Sequence, residues 1–244
     1  PMGASFAWGV VAGSSLVLGG LIARRYSISE RLLGLIMAFG AGVLISAAAD
    51  EPVEEAFVTS AGDGGIALGL LAGSATFFAG EVMIDRLRAR RSRNASATET
   101  VAAGGALTLG IILDGIPASL VLGLTVLEAG TVSFAFLVAV FIANIPEAIA
   151  ATTALAQAGR NTTRIIRFWI LAALGFGATS LAGYVVLDAA SPRTIAIVLA
   201  FAGGAVLTML ANTMMPEALH HGGKLAGLVT TLGFALAFAI SALQ

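Results

Sequence analysis

The sequence predicts an all-α polytopic membrane protein: eight transmembrane helices with inverted pseudo-symmetry, in one domain spanning 1–244. Three observations lead there. They are the composition, the succession of long apolar runs, and the one-sided placement of the basic residues.

Of 244 residues, 58% are hydrophobic and 11% are charged. A soluble domain carries about 25% charged residues to cover its surface. Most of this chain's outer surface must therefore face something other than water. Its 30 glycines suit helix packing in lipid, where small residues let backbones approach. The chain has no Cys, which excludes disulfides, thiolate metal sites and cysteine nucleophiles. A net charge of −1 gives no reason to expect a nucleic-acid partner.

A spanning helix needs about 20 apolar residues. Runs of that kind occupy 4–22, 32–50, 64–84, 101–127, 131–157, 165–187, 194–216 and 224–242. The first run leads straight into further spans and reads as a span rather than a cleaved leader. The long polar interruption is 86–100, a basic stretch of small residues read as a cytoplasmic loop. Arg24, Arg25 and Arg31 flank the first connection. Arg86, Arg88, Arg90, Arg91 and Arg93 fill the third, Arg160, Arg164 and Arg167 flank the fifth, and Lys224 lies in the seventh. Only Arg193 falls in an even-numbered connection. The positive-inside rule then places the odd connections in the cytoplasm and both termini outside. The even connections lean acidic, with Asp50, Glu51, Glu54, Glu55, Asp63, Glu128 and Asp188. Such a face raises the local concentration of cations, or is simply solvated.

Two stretches echo each other: AFGAGVLISAAADEPVEEA from Ala38 and AFAGGAVLTMLANTMMPEA from Ala200. They share Phe39/Phe201, Gly42/Gly204 and Glu55/Glu217. The first lies on an outward span, the second on an inward one. Spans four and five repeat the relation, with Asp-Gly-Ile-Pro-Ala (114–118) against Ala-Asn-Ile-Pro-Glu (143–147). Opposed repeats about an axis in the membrane plane are a transporter architecture with the substrate near the midplane.

The polar residues inside the spans carry the chemistry. Asp114 stands at the middle of the fourth span, where a charge costs about 2.5–3.5 kcal/mol on insertion scales. Asn144 and Glu147 stand near the middle of the fifth, and their i, i+3 spacing puts them on one face. Pro117 and Pro146 follow, each freeing the carbonyl four residues earlier, Leu113 and Ile142. Loosened backbone at membrane depth is tolerated where it lines a cavity or binds a cation. Two carboxylates, an amide and freed carbonyls make a hard-oxygen cation site. The alternative is that Asp114 or Glu147 stays protonated and only hydrogen-bonds between helices. Thr179 and Ser180 in the sixth span add hydroxyls, either as ligands or back-bonded to helix carbonyls.

At these residues the chain resembles the Zrt/Irt-like (ZIP) family of divalent metal transporters. Ala143-Asn144-Ile145-Pro146-Glu147-Ala148 is similar to that family's fifth-helix motif, and Asp114-Gly115-Ile116-Pro117-Ala118-Ser119 is a distant form of its fourth-helix motif. The ends of spans two and seven, Glu51-Pro-Val-Glu-Glu55-Ala and Thr213-Met-Met-Pro216-Glu217-Ala, resemble its Pro-Glu-Ala strings. The resemblance implies a ZIP-like fold with metal held between helices four and five by Asp114, Asn144 and Glu147. Glu51, Glu55, Thr179, Ser180, Glu217, His220 and His221 are secondary candidates. Asp114 stands in place of the family's His, and Ala118 and Ala143 in place of ligands. The donors left are oxygens, which suit harder cations than Zn²⁺. His220 and His221 capture or pass on metal at the end of span seven, or are a solvated pair. Glu81 and Asp85, one turn apart in span three, are read as partners of the nearby arginines.

The function expected is a carrier in the plasma (inner) membrane for a divalent metal ion such as Zn²⁺, Mn²⁺ or Fe²⁺. The metal is substrate, with no prosthetic group; the bilayer is the other partner, and a homodimer is left open. Two alternatives stand beside it: a carrier of another cation or small solute, and a non-transporting membrane regulatory protein. An enzyme is not expected, because there is no Ser/His pair, no Cys and no His within the spans.

Overall fold

The computed structural model describes residues 2–48, 64–93 and 99–241, with side chains at all of these except 48, 87–93, 99–109, 114, 128–129 and 241. Every regular element among them is helical: α1 (Met2–Arg25), α2 (Glu30–Ala48), α3 (Gly65–Arg93), α4 (Glu99–Ala129), α5 (Phe134–Gln157), α6 (Thr162–Leu187), α7 (Pro192–Gly222) and α8 (Leu225–Ser241). The first seven are long and apolar enough to cross a bilayer, and α8 is a shorter apolar helix. The chain is a multi-pass α-helical membrane protein.

The helix boundaries follow local chemistry. Ser133, Asn161 and Ser191 cap α5, α6 and α7, each accepting a backbone N–H of the first turn. Pro192 opens α7, where its missing N–H is no loss. Gly159 and Gly223 turn the chain between helices at φ +77 and +63, values that favour a residue without Cβ. One expectation needs correction. The stretch 86–100 is not a loop throughout: α3 continues to Arg93 and α4 begins at Glu99. The Leu, Ala and Arg residues of 86–91 are good helix formers, so the helix runs past its apolar part.

Burial separates centre from rim. In the apolar stretches of α2, α4, α5 and α7, 56%, 53%, 56% and 56% of residues are buried, against 22% in α3. Four helices therefore form the middle of the bundle, and α3, with Leu68, Leu71 and Phe78 turned outward, is at its edge. Outward apolar side chains of this kind suit lipid tails and not water. Between helices in lipid, close contact of small residues replaces the hydrophobic drive of water. Gly13 shows this on α1, where a Cβ would stand 2.6 Å from Ala173 Cα on α6. Beside it, Ser5 and Ser180 exchange hydrogen bonds, each hydroxyl donating 2.9 Å to the other's carbonyl. The buried Trp169 indole donates to Thr152 Oγ1 at 2.9 Å, tying α6 to α5; leaving such a donor unpaired costs about 1–3 kcal/mol.

The helix α7 is not uniform. It is α-helical over Pro192–Met209, π-helical over Leu210–Met214, and α-helical again over Met215–Gly222. Pro216 has no N–H to return to the Asn212 carbonyl, and its ring crowds that carbonyl. The preceding turn widens instead. Pro117 and Pro146, by contrast, sit inside continuous α-helices.

Candidate functional site: an acidic cavity within the bundle

A cavity of about 360 Å³ lies among α2, α3, α4, α5 and α7. Its polar lining comprises Glu81 and Asp85 from α3, Glu147 from α5, and Asn212, Thr213 and Glu217 from α7; Met37, Phe78 and Ile111 are among its apolar walls. No basic side chain is among the described lining residues. Four carboxylates in a partly apolar enclosure give a negative potential that draws cations. At about 1.5 Å per residue, Glu81 and Glu217 stand about 8 Å inside Arg86 and Gly222, and Glu147 stands about 15 Å inside the end of α5. The cavity therefore runs inward from the end of the bundle that carries Arg31 and Arg86, past Asp85 and Asn212, which are exposed.

The widened turn of α7 shapes this cavity. Asn212 Nδ2 donates to one oxygen of Glu81 at 2.7 Å, and Thr213 Oγ1 donates to the other at 2.8 Å. Both carboxylate oxygens of Glu81 are thus engaged, and α3 is tied to α7. Thr208 donates to Ser74 at 2.7 Å higher along the same pair. A π turn inside a helix is frequent at functional sites, because the extra residue redirects side chains that regular geometry would point elsewhere.

Behind Glu147, on the side away from the arginine-rich end, is a second and much smaller space of about 20 Å³. Asn144, Glu147, Ala118 and Ala143 line it, closed by Leu44, Val140, Val206 and Met209. Asn144 is 7% exposed, yet its Nδ2 has no hydrogen-bond partner among the described residues. Glu147 is half-buried and borders both spaces.

The structure brings Asn144 and Glu147 together on one face of α5, as their spacing requires, and adds Glu217 to the same cavity as Glu147. The side chain of Asp114 lies outside the described residues, as do Glu51 and Glu55; the backbone of Asp114 is helical, one turn before Ala118. Thr179 is not at the cavity: it is half-buried and back-bonds to the Gly175 carbonyl at 3.0 Å. Ser180 is fully buried and bonded to Ser5. His220 and His221 also lie off the cavity lining; their rings meet edge to face, and His221 Nδ1 is 3.7 Å from Glu30. Glu81, read from the sequence as a partner of the nearby arginines, accepts instead from Asn212 and Thr213. Asn212 and Thr213 are the residues that sequence reasoning missed. Their signal was two polar residues just before an intramembrane proline, on the helix that repeats span two.

Among the described residues, no three His, Asp or Glu side chains are grouped closely enough to hold a metal ion by themselves. The arrangement can concentrate a cation in a wide acidic chamber and present it to one deep carboxylate. No family model matches the chain, and no curated protein matches it.

Proposed function

We propose that this chain carries divalent metal cations across the plasma membrane, and that it is a divergent ZIP-type transporter whose path runs through Glu147. The observation that carries the reading is the position of Glu147. Among the described side chains it is the carboxylate that borders both the 360 Å³ chamber and the 20 Å³ space beyond it. A carboxylate kept at such depth is costly unless a cation or proton uses it. The negative lining favours a cation over an anionic or neutral solute.

The family reading draws support from Ala118 and Ala143. They line the small space with Asn144 and Glu147, where the resemblance expects further ligands. The inverted arrangement draws support from packing. Gly42 of α2 faces Thr230 of α8, and Gly204 of α7 faces Leu70 of α3. In return, Gly233 faces the Phe39 carbonyl and Gly73 faces the Phe201 carbonyl. The repeated pairs Gly42/Gly204 and Phe39/Phe201 thus have equivalent roles on helices of opposite direction. The wider pairing agrees: α2 with α8 as α7 with α3, and α1 with α5 as α6 with α4. In this reading the arginine-rich end is cytoplasmic, the chamber opens inward, and Leu44, Val140, Val206 and Met209 close the outer side.

A ligand that binds only the folded protein raises its melting temperature. Purified protein is expected to melt higher as Mn²⁺ or Zn²⁺ is added after chelation, and the Glu147→Ala protein is not. No metal-dependent shift in the wild type would favour the carrier of another solute or the regulatory protein.

A further inference from the structure

We infer that the chamber receives its cation with the first water shell still in place, so that the substrate class of this site is a hard, strongly hydrated divalent cation such as Mg²⁺ or Mn²⁺. This rests on the reading of the chain as a cation carrier.

Size is the first argument. At about 10–15 Å³ of free space per water, the 360 Å³ chamber has room for a six-water shell several times over. A chamber meant to strip an ion on entry has no use for that room. The second argument is the state of Glu81. Both its oxygens already accept, from Asn212 and Thr213. Those two donors hold its charge at a fixed place in the chamber wall, and among the described residues no three acidic or His side chains converge closely enough to ligate a metal directly. Asp85 and Glu217 add charge to the same chamber. Charge acts on a hydrated ion across its waters, whereas direct ligation needs free oxygens converging at bonding distance.

The third argument is the change of scale at Glu147. The space beyond it, about 20 Å³, holds about one water. The Nδ2 of Asn144, without a partner among the described residues, points to the same conclusion. An amide N–H cannot ligate a metal, but it donates well to a water. The shell therefore survives in the chamber and is shed at Glu147, with Asn144 holding a remaining water. Ions are sorted there by the cost of dehydration, and carboxylate and water ligands suit Mg²⁺ and Mn²⁺.

Cobalt(III) hexaammine tests this, because it has the size of a hexahydrated cation and does not exchange its ammines. The full chain in lipid nanodiscs is titrated with Mn²⁺ by calorimetry, with and without the complex. Hexaammine is expected to compete with Mn²⁺, and both to bind several-fold more weakly in Glu217→Gln and in Asp85→Asn, each variant first shown to be folded by its thermal melt. If Mn²⁺ binds and hexaammine does not compete, ligation is direct and the inference fails while the carrier reading stands. Competition untouched by both substitutions places the complex elsewhere and also overturns it. If neither ion binds, the carrier reading falls and the inference with it.

Discussion

Glu81 shows how a side chain with a sequence-local explanation acquires a tertiary one. With Asp85 one turn on and Arg86 next to that, sequence proximity offers arginines as its partners. Its two acceptor oxygens instead meet Asn212 and Thr213, separated from it by 131 and 132 positions. Nothing in a single sequence specifies which face of α7 meets α3. Asn144 and Glu147 were legible for the converse reason: an i, i+3 spacing in a regular helix fixes a shared face without any partner. Ser180 was read as a ligand or a hydroxyl back-bonded within its helix, whereas its partner Ser5 is on another helix. Glu81→Ala leaves two donors of α7 without their acceptor. Hydrogen bonds to a charged group are worth about 1.5–3 kcal/mol each, and partial exposure reduces this. A net loss of about 1–3 kcal/mol is expected, visible as a lower melting temperature of the purified protein. An unchanged melting temperature would mean that the Glu81 clamp does not hold α3 to α7.

The helices themselves were legible because each is specified along its own length. Apolar run, capping residue and turn glycine agree at α5, α6 and α7. Where the sequence misleads is at 86–93, because charge marks the end of the apolar stretch and not the end of the helix. Prolines were legible as positions of loosened backbone, but not in their effect. Pro117 and Pro146 are absorbed by continuous helices, whereas Pro216 follows a π turn. Pro216→Ala returns an N–H to the Asn212 carbonyl and removes a residue disfavoured by about 3 kcal/mol in a helix interior. The turn then tightens, and loss of one residue from it rotates the side chains before it by about 100°. Asn212 and Thr213 leave Glu81. The variant is expected to melt no lower than the wild type while binding Mn²⁺ more weakly, as read by a thermal melt and a calorimetric titration on one preparation. Weaker binding with a lower melting temperature would show damage to the helix and not a redirected turn.

At the scale of the molecule, the eight described helices, a common end for nearly all basic residues and an acidic chamber among α2, α3, α4, α5 and α7 belong to one physical arrangement. The edge helix α3 brings its acidic end to the chamber, and α7 widens to meet it. The spans were legible because lipid demands long apolar helices and satisfied backbone groups. The chamber was not, because a cavity exists only between helices. Glu147 is where the two levels join: costly in its own helix, and bordering both spaces in the assembled bundle. Uptake of radiolabelled Mn²⁺ and Zn²⁺ into proteoliposomes holding wild-type or Glu147→Ala protein, each first shown to be folded by its thermal melt, tests that role most directly. Uptake by the wild type and none above empty vesicles by Glu147→Ala is the expected result; wild-type uptake by the variant would contradict a path through Glu147.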